Sequence, residues 1–330
     1  MQRRHDALHE RERRSTCSGA GRFGRCGVGK MRLSIGSWAY CFGPYKDNPV
    51  PFDAVIEELG ELGFDGVELG GFPPHPSPAE CASKTQREDL RRKVAGHGLA
   101  FSGLAADLWS FPIVTQDDHS AWMAAFESNL QFCCDLGIDT IRFDTVSPPD
   151  IFEKEEIDPQ RGWERVVKTF RAAAQQAADR GIRAAWEFEP GFAFNKPSEI
   201  VRLPDEVGHK NFSVLYDTCH AHLCAAVGAR HPGEKETIEG GALELLTRLR
   251  GKIGHVHLID SDGTLHNNET STHAPFGQGV LDFDKLIPAI VNLRLPTNWW
   301  TIDLCFWPNA WDVTADAKIF LDRMAQKYAT

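Results

Sequence analysis

From Met31 almost to the C-terminus, short runs rich in β-branched and aromatic residues alternate with longer stretches whose apolar positions recur every three or four residues. The first pattern predicts strands and the second amphipathic helices. Eight strands are predicted, over 32–38, 64–70, 99–106, 138–144, 182–188, 212–217, 252–260 and 298–304. Between them, 54–62, 86–97, 121–136, 163–180 and 243–249 carry the helical period, and Gly63, Gly98, Gly137 and Gly181 each precede a strand, as helix-closing residues do. Eight such units fit a closed (β/α)8 barrel, an α/β fold, better than an open doubly wound sheet. No G-x-G-x-x-G follows the first strand, which weakens a dinucleotide-binding reading.

Composition narrows the picture further. The chain has 330 residues, 42% hydrophobic and 25% charged, with no apolar run long enough for a membrane helix. It reads as one soluble barrel domain over 31–330. Residues 1–30 lack apolar periodicity and carry eight basic against three acidic residues, so they read as a disordered extension or as a start assigned upstream of Met31. The net charge of −10 thus conceals about −15 on the body, which disfavours a nucleic-acid partner and favours a small-molecule substrate. Nine cysteines, including Cys133 and Cys134 side by side, form no C-x-x-C and no regular framework, which suits a reducing, cytoplasmic setting with most thiols in the core. A homo-oligomer is compatible with all of this.

A barrel gathers its chemistry at the C-terminal ends of its strands. Those ends carry Glu68, Glu187 with Glu189, Asp217 with His220, His255 with His257, and Asp303. Carboxylates converging with imidazoles make an oxygen-rich site suited to Mn²⁺, Mg²⁺, Co²⁺ or Zn²⁺, and a dication would offset their mutual repulsion. Each residue also has a plainer reading. Glu187 can pair with an arginine, Glu189 can lie outside the cluster, Asp217 can cap the helix that follows, and either histidine of the H-V-H alternation can be a hydrogen-bonded neighbour. Among the aromatics near strand ends, Trp38, Trp109 and Trp307 are candidates to line a substrate pocket. Arg142 and Lys196 are the basic residues near the mouth, too few to favour a sugar phosphate.

Five segments in order, G-I-R-A-A-W-E, L-Y-D-T-C-H, G-H-V-H-L-I-D, P-F-G-Q-G-V-L-D-F and W-W-T-I-D, resemble the sugar phosphate isomerase/epimerase superfamily of xylose isomerase-like TIM barrels, which includes ketose 3-epimerases, inosose dehydratases and endonuclease IV. The resemblance implies that Glu187, Asp217, His257 and Asp303 hold the divalent metal. It makes Glu187 and Asp303 the catalytic carboxylates, places Glu68 at the rim and sets His220 against the substrate or the metal's outer shell; Glu68, His220 and Glu189 are the expected substrate-binding residues. The implied activity is a sugar or polyol isomerase or epimerase that removes a proton beside a carbonyl through a metal-stabilised enediolate. A dehydratase or lyase acting on an inosose or keto-glycoside, or a metal-binding barrel subunit that depends on a partner, are the alternatives. Two departures matter: Asp303 is one methylene shorter than the family's usual Glu, and Gly263 stands where ketose epimerases tend to carry an Arg. An endonuclease IV-like nuclease is disfavoured, since the segments around 66–71 and 99–106 supply no histidines for its further zinc ions.

Overall fold

The computed structural model describes residues 30–329. The expectation for residues 1–30 therefore lies, apart from Lys30, outside the described residues. Eight parallel strands close into a barrel: β1 (Arg32–Gly36), β2 (Gly66–Gly70), β3 (Ala100–Ala105), β4 (Thr140–Phe143), β5 (Arg183–Glu187), β6 (Phe212–Asp217), β7 (Ile253–Leu258) and β10 (Trp299–Ile302), with β10 pairing both β1 and β7. Each predicted strand is present, trimmed by a residue or more at most ends. The sequence pattern marks the apolar run, whereas the ladder stops where the chain bends away from its neighbour.

Helices wrap the outside and pack their apolar stripes on the strands. The helix Pro159–Ala178 shows the logic: Asp158 caps its N-terminus by accepting from the Gln160 amide, Pro159 opens it, and Trp163, Val166, Phe170, Ala173, Ala174 and Ala177 fall on one buried face. Full burial of each large side chain contributes about 1.5–3 kcal/mol. The helix Ser120–Leu136 ends at Gly137, whose φ of 74° and ψ of 29° place it in the left-handed region that glycine tolerates.

One feature is absent from the eight-unit pattern. The stretch after β7, which carries no predicted element beyond residue 260, folds as an antiparallel hairpin of β8 (Asp260–His266) and β9 (Thr270–Ala274). Asp260 anchors the chain beyond it, accepting from the amides of Gly277, Gly279 and Leu281 at 3.0–3.1 Å. The hairpin brings Ser271 and His273 to the C-terminal end of the barrel, where they are buried. No helix among the described residues is long and apolar enough to cross a membrane.

Candidate metal centre

Side chains alternate along a strand, so Arg183, Ala185 and Glu187 share one face of β5, Ser213, Leu215 and Asp217 one face of β6, and His255 and His257 one face of β7. The β6–β7 register sets Asp217 beside His257, and the β10–β7 register pairs Thr301 with His257, so that Asp303 follows at the strand end. The outcome is one cluster: Glu187, Asp217, His257 and Asp303 each offer a ligand atom, all within 4.8 Å of one another. All four are at most 4% exposed. Glu189, two residues beyond β5, is not in this set.

The atoms facing the cluster centre are short of partners. Both oxygens of Glu187, Oδ2 of Asp217 and Nδ1 of His257 are buried and make no well-aligned hydrogen bond, although His257 Nδ1 lies 3.0 Å from Glu187 Oε1 and 3.5 Å from Asp303 Oδ2. A buried carboxylate oxygen without a hydrogen bond, as at Asp217 Oδ2, is costly, and three carboxylates with one imidazole nitrogen make a set a dication satisfies. The residues fit a divalent metal. Asp217 unites both of its sequence readings: Oδ1 caps the following helix by accepting from the His220 amide at 2.7 Å, which leaves Oδ2 for the cluster.

Behind His257 lies a polar layer that the strand-end reading misplaced. Glu68 is fully buried rather than at the rim. Its Oε1 faces His257 Nε2 at 3.2 Å and its Oε2 faces His255 Nε2 at 2.7 Å. Gly103 makes this possible, because a Cβ there would stand 3.1–3.3 Å from the Glu68 carboxyl group. The expectation that Glu68 sits at the rim is therefore corrected: it holds one nitrogen of His257 and leaves the other, Nδ1, for the cluster.

Arg142 and His273 are two more members. Arg142 turns into the mouth and forms a close ion pair with Glu187, with Asp144 Oδ2 at 3.8 Å. Thr140, Arg142 and Asp144 alternate with Ile141 and Phe143, a period that marks Arg142 as inward. His273, on the hairpin, puts Nδ1 3.2 Å from Asp303 Oδ1, and Trp38 Nε1 donates to the same oxygen at 2.9 Å, as does the Cys305 amide at 3.0 Å. Nothing in a strand-by-strand reading locates His273, which lies well past the end of β7.

Electrostatics divide the carboxylates. Burial alone would raise Glu187, but Arg142 and His257 outweigh it and hold the group at about 2. Asp303 is likewise held well below its usual range, by His273 and His257 against burial. His273 is raised to about 9, since Asp303 overcomes its burial. Glu189 is pushed the other way, up to about 7, by burial, although Thr270 donates to it. Asp144 is raised to about 6 by burial. His220 lies with Nδ1 2.8 Å from Ser271 Oγ and Nε2 3.5 Å from Glu189, and burial drives it down to about 3. With Asp217 and His273 it forms a second ligand set adjoining the first.

Of the three candidate tryptophans, Trp38 lies at the cluster with its ring 5.6 Å from that of His257, and Trp109 reaches Asp144 through Nε1 at 3.5 Å. Trp307, partly buried, packs against the main barrel core, while its neighbour Phe306, at a positive φ of 64°, belongs to the cluster around Trp38. Two surface cavities of about 230 and 280 Å³ open elsewhere, beside Phe111 and Trp122 and beside Arg230 and His231. Neither holds a convergent set of ligand atoms, so chemistry rather than concavity marks the candidate site.

Comparison with known proteins agrees with this architecture. An inosose dehydratase from Geobacillus thermodenitrificans is 22% identical over 285 residues, covering 79% of this chain and 85% of that protein. A D-psicose 3-epimerase from Ruminiclostridium cellulolyticum is 27% identical over 210 residues, 61% of this chain and 64% of its own. Both relatives are enzymes. The solved structure of an IolI protein with a bound zinc atom superposes with a TM-score of 0.65 at 19% identity, over 90% of this chain and 99% of that one. The family model described as the xylose isomerase-like TIM barrel matches residues 56–316, and the chain belongs to that family.

Proposed function

We propose that the chain is a metal-dependent enzyme that removes a proton from the carbon beside a carbonyl of an unphosphorylated ketose, inosose or keto-glycoside. The observation that supports this reading is the convergence of Glu187, Asp217, His257 and Asp303 within 4.8 Å, with Asp217 Oδ2 buried without a hydrogen-bond partner among the described residues and Glu187 held between Arg142 and His257. A divalent ion held there supplies Lewis acidity to adjacent carbonyl and hydroxyl oxygens. The chain's own groups do the rest. Arg142 keeps Glu187 ionised and oriented at the cluster, and Glu68 fixes the orientation of His257.

Within this chemistry, a specific observation favours elimination of water or of another leaving group over two-base epimerisation. Asp303 Oδ1 already faces three donors, Trp38 Nε1, the Cys305 amide and His273, and its side chain is short. That makes it a poor second base, whereas Glu189, raised to about 7 and next to His220, is suited to return a proton to a departing hydroxyl. The relatives named as an inosose dehydratase and a D-psicose 3-epimerase represent the two outcomes. Incubation with Mn²⁺ and a panel of inososes and ketoses in D₂O separates them. Loss of one water gives elimination, deuterium at the epimerised carbon gives epimerisation, and the absence of both across free and glycosidic substrates rejects the proposal.

A further inference from the structure

The mouth of the barrel has two chemically distinct halves. β4, β5 and β6 and the residues just beyond them bring Arg142, Asp144, Glu187, Glu189 and His220. The segments after β1, β2, β3 and β10 bring rings. Phe42 stacks on Phe72 at 4.7 Å and 6° between planes, Phe306 stands at 6.1 Å and 13° from Phe42, and His266 stacks on Phe306 at 4.5 Å and 12°. Trp109 leans on Phe42 and Phe72 at 5.6 and 5.1 Å. Phe42, Phe72, Trp109 and Phe306 together with Trp38 belong to a hydrophobic cluster separate from the barrel core, with Phe42, Trp109 and Phe306 left partly exposed.

Three features separate this cluster from a small structural core. Phe306 holds a positive φ of 64°, a conformation that bulky residues adopt at a cost, and such strain concentrates at functional sites. Its ring rests over Gly43, where any Cβ would come within 2.7 Å of it. The cluster is also continuous with the candidate metal centre, because Trp38 donates to Asp303 and its ring faces His257. Finally, the indole nitrogens of Trp38 and Trp109 are both turned to carboxylates, Asp303 and Asp144, so the ring surface offers carbon. A second sugar would leave hydroxyls unpaired against it, whereas a flat apolar group would not.

We infer that this aromatic surface is the subsite for a planar apolar substituent on the sugar, so that the substrate class is a keto-sugar glycoside with an aryl or similarly flat substituent rather than a free sugar. The inference rests on the proposed function for its orientation, with the sugar on the polar half and the substituent on the rings. The test uses full-length protein with Mn²⁺, titrated with the phenyl and the methyl β-glycoside of the same ring-oxidised (keto) glucose by calorimetry and saturation-transfer NMR. The phenyl glycoside is expected to bind roughly 10-fold or more tightly, with the strongest saturation on its ring protons. Phe306→Ala and Phe42→Ala, each checked for fold by circular dichroism, are expected to remove most of that preference while Mn²⁺ binding stays as in the wild type. Equal binding of the two glycosides, no binding of either, or a preference that survives both substitutions overturns the inference. Loss of the metal-site reading is distinguishable: Mn²⁺ would then fail to bind while the phenyl preference persisted.

Discussion

Replacing Glu68 with Gln tests the layer beneath the candidate metal centre. In the folded chain one carboxylate serves two imidazoles, Oε2 facing His255 Nε2 at 2.7 Å and Oε1 facing His257 Nε2 at 3.2 Å, with Glu68 fully buried. A glutamine has one acceptor oxygen and one NH₂ group. If its oxygen keeps the shorter bond to His255, its NH₂ points at His257 Nε2, donor against donor. His257 can relieve this by moving its proton to Nδ1, but that nitrogen then carries an N–H toward Glu187 and Asp303 and is lost as a ligand. Groups that orient a metal-ligating histidine are typically worth about 10–100-fold in metal affinity, or about 1.4–2.8 kcal/mol. Calorimetric titration of Mn²⁺ and Zn²⁺ into wild type and Glu68→Gln, with thermal unfolding as a check of fold, measures it. A variant that folds and binds metal within about twofold of wild type would refute the role assigned to Glu68.

Other consequences follow from the same geometry. Arg142→Met leaves the buried Glu187 without its guanidinium, so metal-free protein should lose about 3–5 kcal/mol by denaturant unfolding, and saturating metal should recover part of it; an unchanged midpoint would show the pair to be dispensable. His273 has a folded pKa raised to about 9 against about 6.5 unfolded, so its contribution is fully present below pH 6.5 and is lost as pH rises through 9. The melting temperature of metal-free protein should fall across that window, and His273→Asn should flatten the fall. Metal at about 100 times its Kd should add about 2.7 kcal/mol, near 4 °C for a domain of this length, and EDTA should reverse it.

The fold was legible because a parallel barrel imposes two clear periods, and the runs ending at Glu187, Asp217 and Asp303 each close on a carboxylate that an apolar strand does not need. What the sequence hid has physical causes. Glu68 reads as a strand-end residue, but its depth depends on a long side chain crossing the barrel over Gly103, a tertiary relation with no local pattern. Arg142 was legible in principle, since Thr140, Arg142 and Asp144 alternate with apolar neighbours, yet a charged residue in a short strand also fits the helix-facing layer. His273 rides on a hairpin that sits outside the repeating unit. Phe306 and Trp307 are adjacent rings that pack in different clusters, a division that no sequence period marks.

The central claim is that side chains from four neighbouring strand ends hold one divalent ion. Anomalous diffraction from crystals grown with Mn²⁺ tests it most directly. The account predicts a peak within about 2.0–2.4 Å of carboxylate oxygens of Glu187, Asp217 and Asp303 and of Nδ1 of His257. A peak confined to the adjoining set of Asp217, His220 and His273, or no peak at all, would contradict it.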